Sequence, residues 1–321
     1  MYAVFQALFS VVGSLGFIGN VLVCVTICYT EALHSITNLF ILNLAVADAL
    51  ASVAHVADPF TTQQLSVEKS LYNDTVTCPV QLNFWVSVQS VVYYLHSSLL
   101  AHSVFGLTLV THERFIGIVK PLQHASYFSR RKIAVMLLAM WMTPLVVELP
   151  RFVYVIDYQR QKCTGDSEYE YMFSILSMLL LAGPTGAMVW MYVQILKNLK
   201  QGAKNLQQLG VKGSAKELLE AHKKVTVAMA LVTAAFFILV LPTKIVKLTF
   251  EIIVKPSPLA VSQTFTLLVV LNSAINPVLY GFKYKQLRES FVSMVVGKCR
   301  KLKRQNHVQQ APRVEMVQSL S

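Results

Sequence analysis

The chain has 321 residues, 55% of them hydrophobic and only 14% charged, with 28 Lys and Arg against 16 Asp and Glu. Its mean hydropathy of +0.53 excludes an ordinary soluble globular protein and points to a chain whose solvent is largely lipid. The net charge of +12 raises the nucleic-acid class. The cations, however, fall in short runs between apolar segments, where they read as topology and headgroup signals, so no nucleic-acid partner is expected.

Seven apolar segments follow in chain order, each near or above the roughly 20 residues that a bilayer span needs. They run over Val4–Cys28, Asn38–Phe60, Trp85–Val110, Ile133–Ile156, Met172–Leu196, Val225–Ile253 and Ala260–Phe282. This predicts an all-α membrane protein: a seven-helix bundle over residues 1–296 that takes in a short amphipathic stretch at Lys283–Met294, then a basic tail over 297–321. The segment after the fifth span carries Gly202, Gly210 and Gly213 among lysines and is expected to be a cytosolic loop.

Cations mark the ends of the third, fifth and seventh spans. Lys120 and Arg130 to Lys132 follow the third, Lys197 to Lys224 the fifth, and Lys283 to Arg313 the seventh. The even-numbered ends hold few. The positive-inside rule then places the N-terminus outside and the C-terminus in the cytoplasm of a multi-pass plasma-membrane protein. Asn73-Asp74-Thr75, a glycosylation sequon, falls in a loop assigned to the outside. Cys78 and Cys163 fall in two outside loops, where oxidation is permitted. Cys24 and Cys28 read as small apolar packing residues of the first span. Cys299 is juxtamembrane, a palmitoylation site or a free thiol.

Polar residues inside the spans carry the functional signal, because a buried polar group in lipid must find a partner within the protein. Asn20, Asp48 and Ser103 stand in the first three spans, and Asn272, Ser273 and Asn276 share one face of the seventh. Carboxylate, hydroxyl and amide oxygens together suit a hard cation. A neutral hydrogen-bonded cluster that glues helices fits them equally well. Glu113-Arg114 forms a second constellation at the inner end of the third span, on a helix that Pro121 then stops. It reads as interfacial snorkelling or as an arginine held in one state and released in another.

The whole chain resembles a rhodopsin-like (class A) G-protein-coupled receptor. The matching residues are Gly19-Asn20, Leu44-Ala45-Val46-Ala47-Asp48, His112-Glu113-Arg114-Phe115 followed by Pro121-Leu122, and Trp141. They continue with Pro184, Tyr192, Phe236, Pro242 and Asn276-Pro277-Val278-Leu279-Tyr280. The stretch Lys283–Met294 resembles the family's membrane-parallel eighth helix. The resemblance implies that Asp48, Ser103, Asn272, Ser273 and Asn276 form a pocket for an allosteric sodium ion. It implies that Glu113, Arg114, Tyr192, Pro277 and Tyr280 belong to the switch that opens a cytoplasmic cleft for a heterotrimeric G protein, with arrestin as a further partner. It also implies an extracellular ligand and the lipid bilayer as surroundings. No His, Cys, Asp and Glu spacing suggests a nucleophile–base pair or a metal triad, so no enzymatic activity is expected.

Departures from the family pattern are informative. The usual outer cysteine of the third span is Gln89, so a Cys78–Cys163 bridge would have shifted geometry. The usual tryptophan of the sixth span is Val240, and the usual acidic latch there is His222, which leaves Glu113 as the surer partner of Arg114. The amine-receptor aspartate is His96, and the opsin lysine is Val270, so retinal is excluded. Tyr93, His96, Lys244, Lys247 and Gln263, with Arg151, line a candidate cavity that favours an anionic small molecule or a peptide slightly over other ligands. An atypical or constitutively active receptor of the same fold, or a transporter, remains the alternative.

Overall fold

The computed structural model describes residues 2–71, 80–162, 170–208, 214–252, 259–294 and 296. Seven long helices cover almost all of this: α1 Tyr2–Tyr29, α2 Ile36–Leu71, α3 Val80–Val119, α5 Arg130–Lys162, α6 Glu170–Gln208, α7 Ser214–Ile252 and α8 Leu259–Lys283. Between α3 and α5 lies the single turn α4, His124–Tyr127, reached through a 3-10 turn at Pro121–Gln123. Residues 285–294 are helical again after a break at Tyr284. Asn73, Cys78, Cys163, Cys299 and the 297–321 tail lie outside the described residues, as does the Lys247 side chain.

Six of the seven long helices are apolar enough to cross a membrane by composition alone; α3 is not among them. Its place in the bundle explains why. It packs on α2, α5, α6 and α7, so His96, Ser97, Ser98, His102 and Ser103 are partly or fully buried against protein and need not suit lipid. The outer helices show the opposite balance. The apolar window is 61% buried in α2 but 17% buried in α5 and in α6. Leu138, Leu179, Trp190 and Leu196 are accordingly exposed on faces suited to lipid.

One expectation is corrected. Gly202 is not in a loop: α6 continues to Gln208 and α7 starts at Ser214, so the two helices run on past the fifth and sixth apolar segments. Hydropathy ends where the lysines begin, but Ala, Leu, Lys and Gln remain good helix formers, and the helices follow propensity rather than hydropathy.

Prolines stand inside helices at 59, 144, 150, 184, 242 and 277. The consequence at Pro277 is visible. Its missing N–H leaves the Ser273 carbonyl without its helical partner, and the Asn20 amide of α1 donates to that carbonyl at 2.9 Å. Close approach of the two helices is possible because Gly19 has no side chain: a Cβ there would lie 3.0 Å from Pro277 Cβ and Cγ. Gly19-Asn20 and Pro277 are thus two halves of one joint.

Candidate functional site

The first cluster lies in the middle of the bundle. Asp48 of α2 is 0% exposed. Ser103 of α3 donates to Asp48 Oδ1 at 2.7 Å, and the Asn276 amide of α8 donates to Oδ2 at 2.6 Å. Three of the five expected sodium-pocket residues are thereby brought into direct contact. Asn272 and Ser273 are buried beside them on α8; the Ser273 side chain also lies within reach of Asp48, while its carbonyl is held by Asn20.

Donor chemistry decides whether a cation fits. Asn20 Oδ1 and Asn276 Oδ1 are buried oxygens without a hydrogen-bond partner. Unpartnered acceptors next to a carboxylate and a hydroxyl are what a hard monovalent cation requires. Asn272 has its Nδ2 unpartnered; a half-turn of that amide presents its oxygen instead. The residues therefore fit sodium. Among the described residues no three His, Cys, Asp or Glu side chains gather to hold a metal ion.

The second cluster closes the end of the bundle where α2 begins and α3 ends. Arg114 Nε donates to Glu113 Oε2 at 2.6 Å and Arg114 Nη2 to Oε1 at 2.7 Å. Thr37, in the first turn of α2, donates to Oε2 at 2.8 Å, and Arg114 Nη2 also donates to Thr37 Oγ1. His124 Nε2 of α4 lies 3.0 Å from Oε1. Glu113 stands three residues beyond the apolar segment that ends at Val110. Burial acts to raise its carboxyl, but the Arg114 hydrogen bond and charge, then His124 and Thr37, outweigh it and hold the group below the usual carboxylate range. A cavity of about 450 Å³ opens beside this cluster, lined among others by Thr37, Glu113, Arg114 and His124.

Two tyrosines lie between the clusters. Tyr192 of α6 bridges α3 and α7, its hydroxyl 3.3 Å from Thr111 Oγ1 and 3.2 Å from Thr233 Oγ1. Tyr280 of α8 is 1% exposed, and its hydroxyl has no partner. Phe236 and Val240 of α7 are both fully buried in the surrounding apolar core. Trp141 fixes α5 to α2 by donating to Asn43 Oδ1 at 2.8 Å.

Toward the other end, a guanidinium and three rings form a ladder across three helices. Arg151 of α5 places its guanidinium carbon 4.4 Å from the Tyr93 ring centre. Tyr93 stacks on His96 at 6.3 Å and 12°. His55 of α2 meets His96 edge-on at 4.4 Å. Lys244 and Gln263 are half-buried on α7 and α8. Gln89, standing where the family pattern has its cysteine, staples α3 to α2: its amide donates to Asp58 Oδ1 and Thr62 Oγ1, each at 2.9 Å, and Thr61 donates to its oxygen.

Sequence reasoning missed Thr37, His124, Thr111 and Thr233. The threonines carry no signal, since a lone threonine at a span end is unremarkable in composition. For His124, the one hint is its place three residues after Pro121.

Comparison with known proteins bears on the same arrangement. Residues 19–280 match the family model described as 7 transmembrane receptor (rhodopsin family). Similar proteins include the somatostatin receptor type 2 of Mus musculus, 27% identical over 91% of this chain and 77% of the relative. The somatostatin receptor type 1 of Rattus norvegicus is 25% identical over 88% and 69%. The trace amine-associated receptor 4 of Mus musculus is 26% identical over 87% and 81%. These relatives are receptors, not enzymes, and the matched segment takes in both buried clusters. The chain belongs to the rhodopsin family of seven-transmembrane receptors, multi-pass proteins of the plasma membrane that signal through G proteins.

Proposed function

We propose that this receptor holds its N-terminus outside and its C-terminus in the cytoplasm, and passes an extracellular signal to a heterotrimeric G protein by a two-state rearrangement of its inner helix ends. The observation that carries the reading is the closed ring of donors on Glu113, which ties Arg114 to its own helix. An arginine so held is withheld from other partners. Releasing it changes what the cytoplasmic face offers, and any ligand that prefers the released state shifts the balance toward it. Arrestin would read the same face.

An anionic small molecule or a peptide carboxylate is the preferred ligand class. Arg151 over Tyr93, with His96 stacked beneath, supports this, together with Lys244, Lys247 and Gln263 on the facing helices. Some relatives are named for trace amines, but with His96 at the position of the amine-receptor aspartate an amine loses its usual counter-ion. Sodium, when bound at Asp48, would supply a charge that favours the inactive arrangement. Cys78–Cys163 pairing, glycosylation of Asn73 and palmitoylation of Cys299 belong to the same proposal.

A broad ligand screen against a G-protein dissociation readout that is blind to subtype tests the reading. A hit should lose potency when Lys244 is replaced by Gln; intact potency removes the main reason for preferring anions. Sodium should weaken agonist binding, and Asp48→Asn should abolish that effect. Sodium sensitivity unchanged in the variant refutes the pocket. Val240, buried where the family pattern has tryptophan, favours a second reading in which basal activity dominates. Output independent of any ligand in the same assay would select it.

A further inference from the structure

The seam between α2 and α3 carries polar residues at a seven-residue spacing on both helices: Asp48, His55 and Thr62 on α2, and Ser103, His96 and Gln89 on α3. That period keeps the side chains of two packed helices on facing stripes. The six residues form three rungs. Ser103 donates to Asp48 at 2.7 Å, and Gln89 donates to Thr62 at 2.9 Å. Between these two hydrogen-bonded rungs stand two imidazoles, His55 and His96, edge to face with ring centres 4.4 Å apart. His55 is 3% exposed, and its Nδ1 is buried without a hydrogen-bond partner.

A buried nitrogen left open is costly, and imidazole is the commonest protein ligand for transition metals. On a tetrahedral zinc ion, with Zn–N of about 2.0–2.1 Å, two imidazole centres stand roughly 5 Å apart. The rings of His55 and His96 need only spread slightly to admit one. The hydrogen-bonded rungs on either side hold the two backbones near that separation, and His96 is half-buried, which leaves the ion a way in. Asp58, one turn from His55 and held by Gln89 at 2.9 Å, adds negative charge on the same seam. The Arg151 guanidinium, at the Tyr93 ring of the ladder, opposes it.

We propose that His55 and His96 form a two-imidazole site for a zinc-class transition-metal ion, which clamps the middle of the α2–α3 seam. Among the described residues no third His, Cys, Asp or Glu side chain joins them, so the ion keeps positions for water, as open zinc sites do. The site differs from the pocket at Asp48 in chemistry as well as place. Nitrogen donors suit zinc, whereas the carboxylate, hydroxyl and amide oxygens around Asp48 suit a hard ion.

The test titrates zinc chloride into purified, chelator-treated receptor in lipid nanodiscs, with Cys28→Ser and Cys299→Ser removing competing thiols. Binding is read by competition with a fluorescent zinc indicator and by thermal unfolding. The parent should take up a single ion and unfold at a higher temperature with it, while magnesium chloride should do neither. His55→Gln and His96→Gln should each weaken binding by at least the roughly 10–100-fold that losing a mere supporting partner of a metal ligand costs. His96→Cys should keep the ion, and it stands in if a glutamine variant fails to fold. With cobalt in place of zinc it should add a thiolate-to-metal absorption that the parent lacks. His34→Gln, which removes an imidazole near the Cys28 carbonyl, should bind like the parent. No saturable uptake by the parent, an equal response to magnesium, a His34→Gln variant that loses the ion, or a His96→Cys variant without the cobalt–thiolate band overturns the proposal. Unchanged binding in both glutamine variants overturns it as well.

Discussion

Asp48 and Glu113 are both carboxylates buried in the same bundle, at 0% and 2% exposure, yet they are held in opposite ways. Glu113 has three side chains converging on its two oxygens, one of them a guanidinium that reaches both. Asp48 has one neutral donor on each oxygen, and two unpartnered amide oxygens belong to the residues around it. The first site is complete within the protein; the second leaves buried acceptors open, which is where the proposed sodium ion would enter. A complete ion pair makes a lock, because removing either partner strands the other. An incomplete one makes a sensor, because its energy depends on an external concentration.

The largest effect should follow from breaking the lock. Glu113→Gln removes the charge that holds Arg114, and the cost should lie at the lower edge of the about 3–5 kcal/mol seen when a buried pair loses one member, since the Arg114 side chain keeps 17% exposure. Agonist-free nucleotide exchange should rise strongly. Asp48→Asn should behave differently: its two neutral hydrogen bonds can be re-formed, so the loss of thermal stability in sodium-free buffer should be about 1 kcal/mol. If the two variants raised basal exchange equally, the distinction between lock and sensor would collapse.

How far the sequence alone foresees these two sites follows from their chemistry. Asp48, Ser103 and Asn276 are conspicuous because each is costly in lipid, and their meeting in space follows once the helices are placed. Glu113-Arg114 is conspicuous for the same reason. Thr37 and His124 are not: Thr37 is an ordinary threonine in the first turn of α2, and His124 reaches Glu113 because a 3-10 turn at Pro121–Gln123 folds the chain back under α3. Gln89 shows the same limit: its residue type says that no disulfide forms there, but not that it staples two helices. The long inner ends of α6 and α7 were hidden because hydropathy reports lipid contact, and these turns run on past the apolar segments.

A smaller effect tests the joint between α1 and α8. Asn20→Leu leaves the Ser273 carbonyl buried and unpaired, which should lower stability by about 1–3 kcal/mol in thermal unfolding of the purified receptor. Pro277→Ala restores the N–H that the Ser273 carbonyl lacks within its own helix. In the double variant that carbonyl has a partner again, so the Asn20→Leu penalty should shrink. Strict additivity would mean that Asn20 is not there to serve the proline.

The smallest effect contrasts two glycines in helix interiors. In α1, a Cβ at Gly16 would lie 2.8 Å from Ser52 Oγ and 3.2 Å from Ala274 Cβ. Ser52 is itself held by the Asp48 carbonyl at 2.7 Å, so it cannot turn aside freely, and Ala274 belongs to the helix that carries the sensor. In α6, a Cβ at Gly186 meets nothing within 4 Å, as suits a helix whose apolar window is mostly unburied. Replacing a helical glycine by alanine gains about 0.5–1 kcal/mol when nothing opposes it. Gly186→Ala should therefore leave stability unchanged or raise it by that amount, while Gly16→Ala should lower it, because the inserted methyl forces α1 off α2 and α8. Gly16→Ala should also weaken the sodium effect on agonist binding, since Ser52 and Ala274 adjoin Asp48 and Asn276 along their helices. Gly186→Ala should leave that effect untouched. Equal and harmless outcomes for both substitutions would show that α1 is not fixed against the sensor by close approach at Gly16.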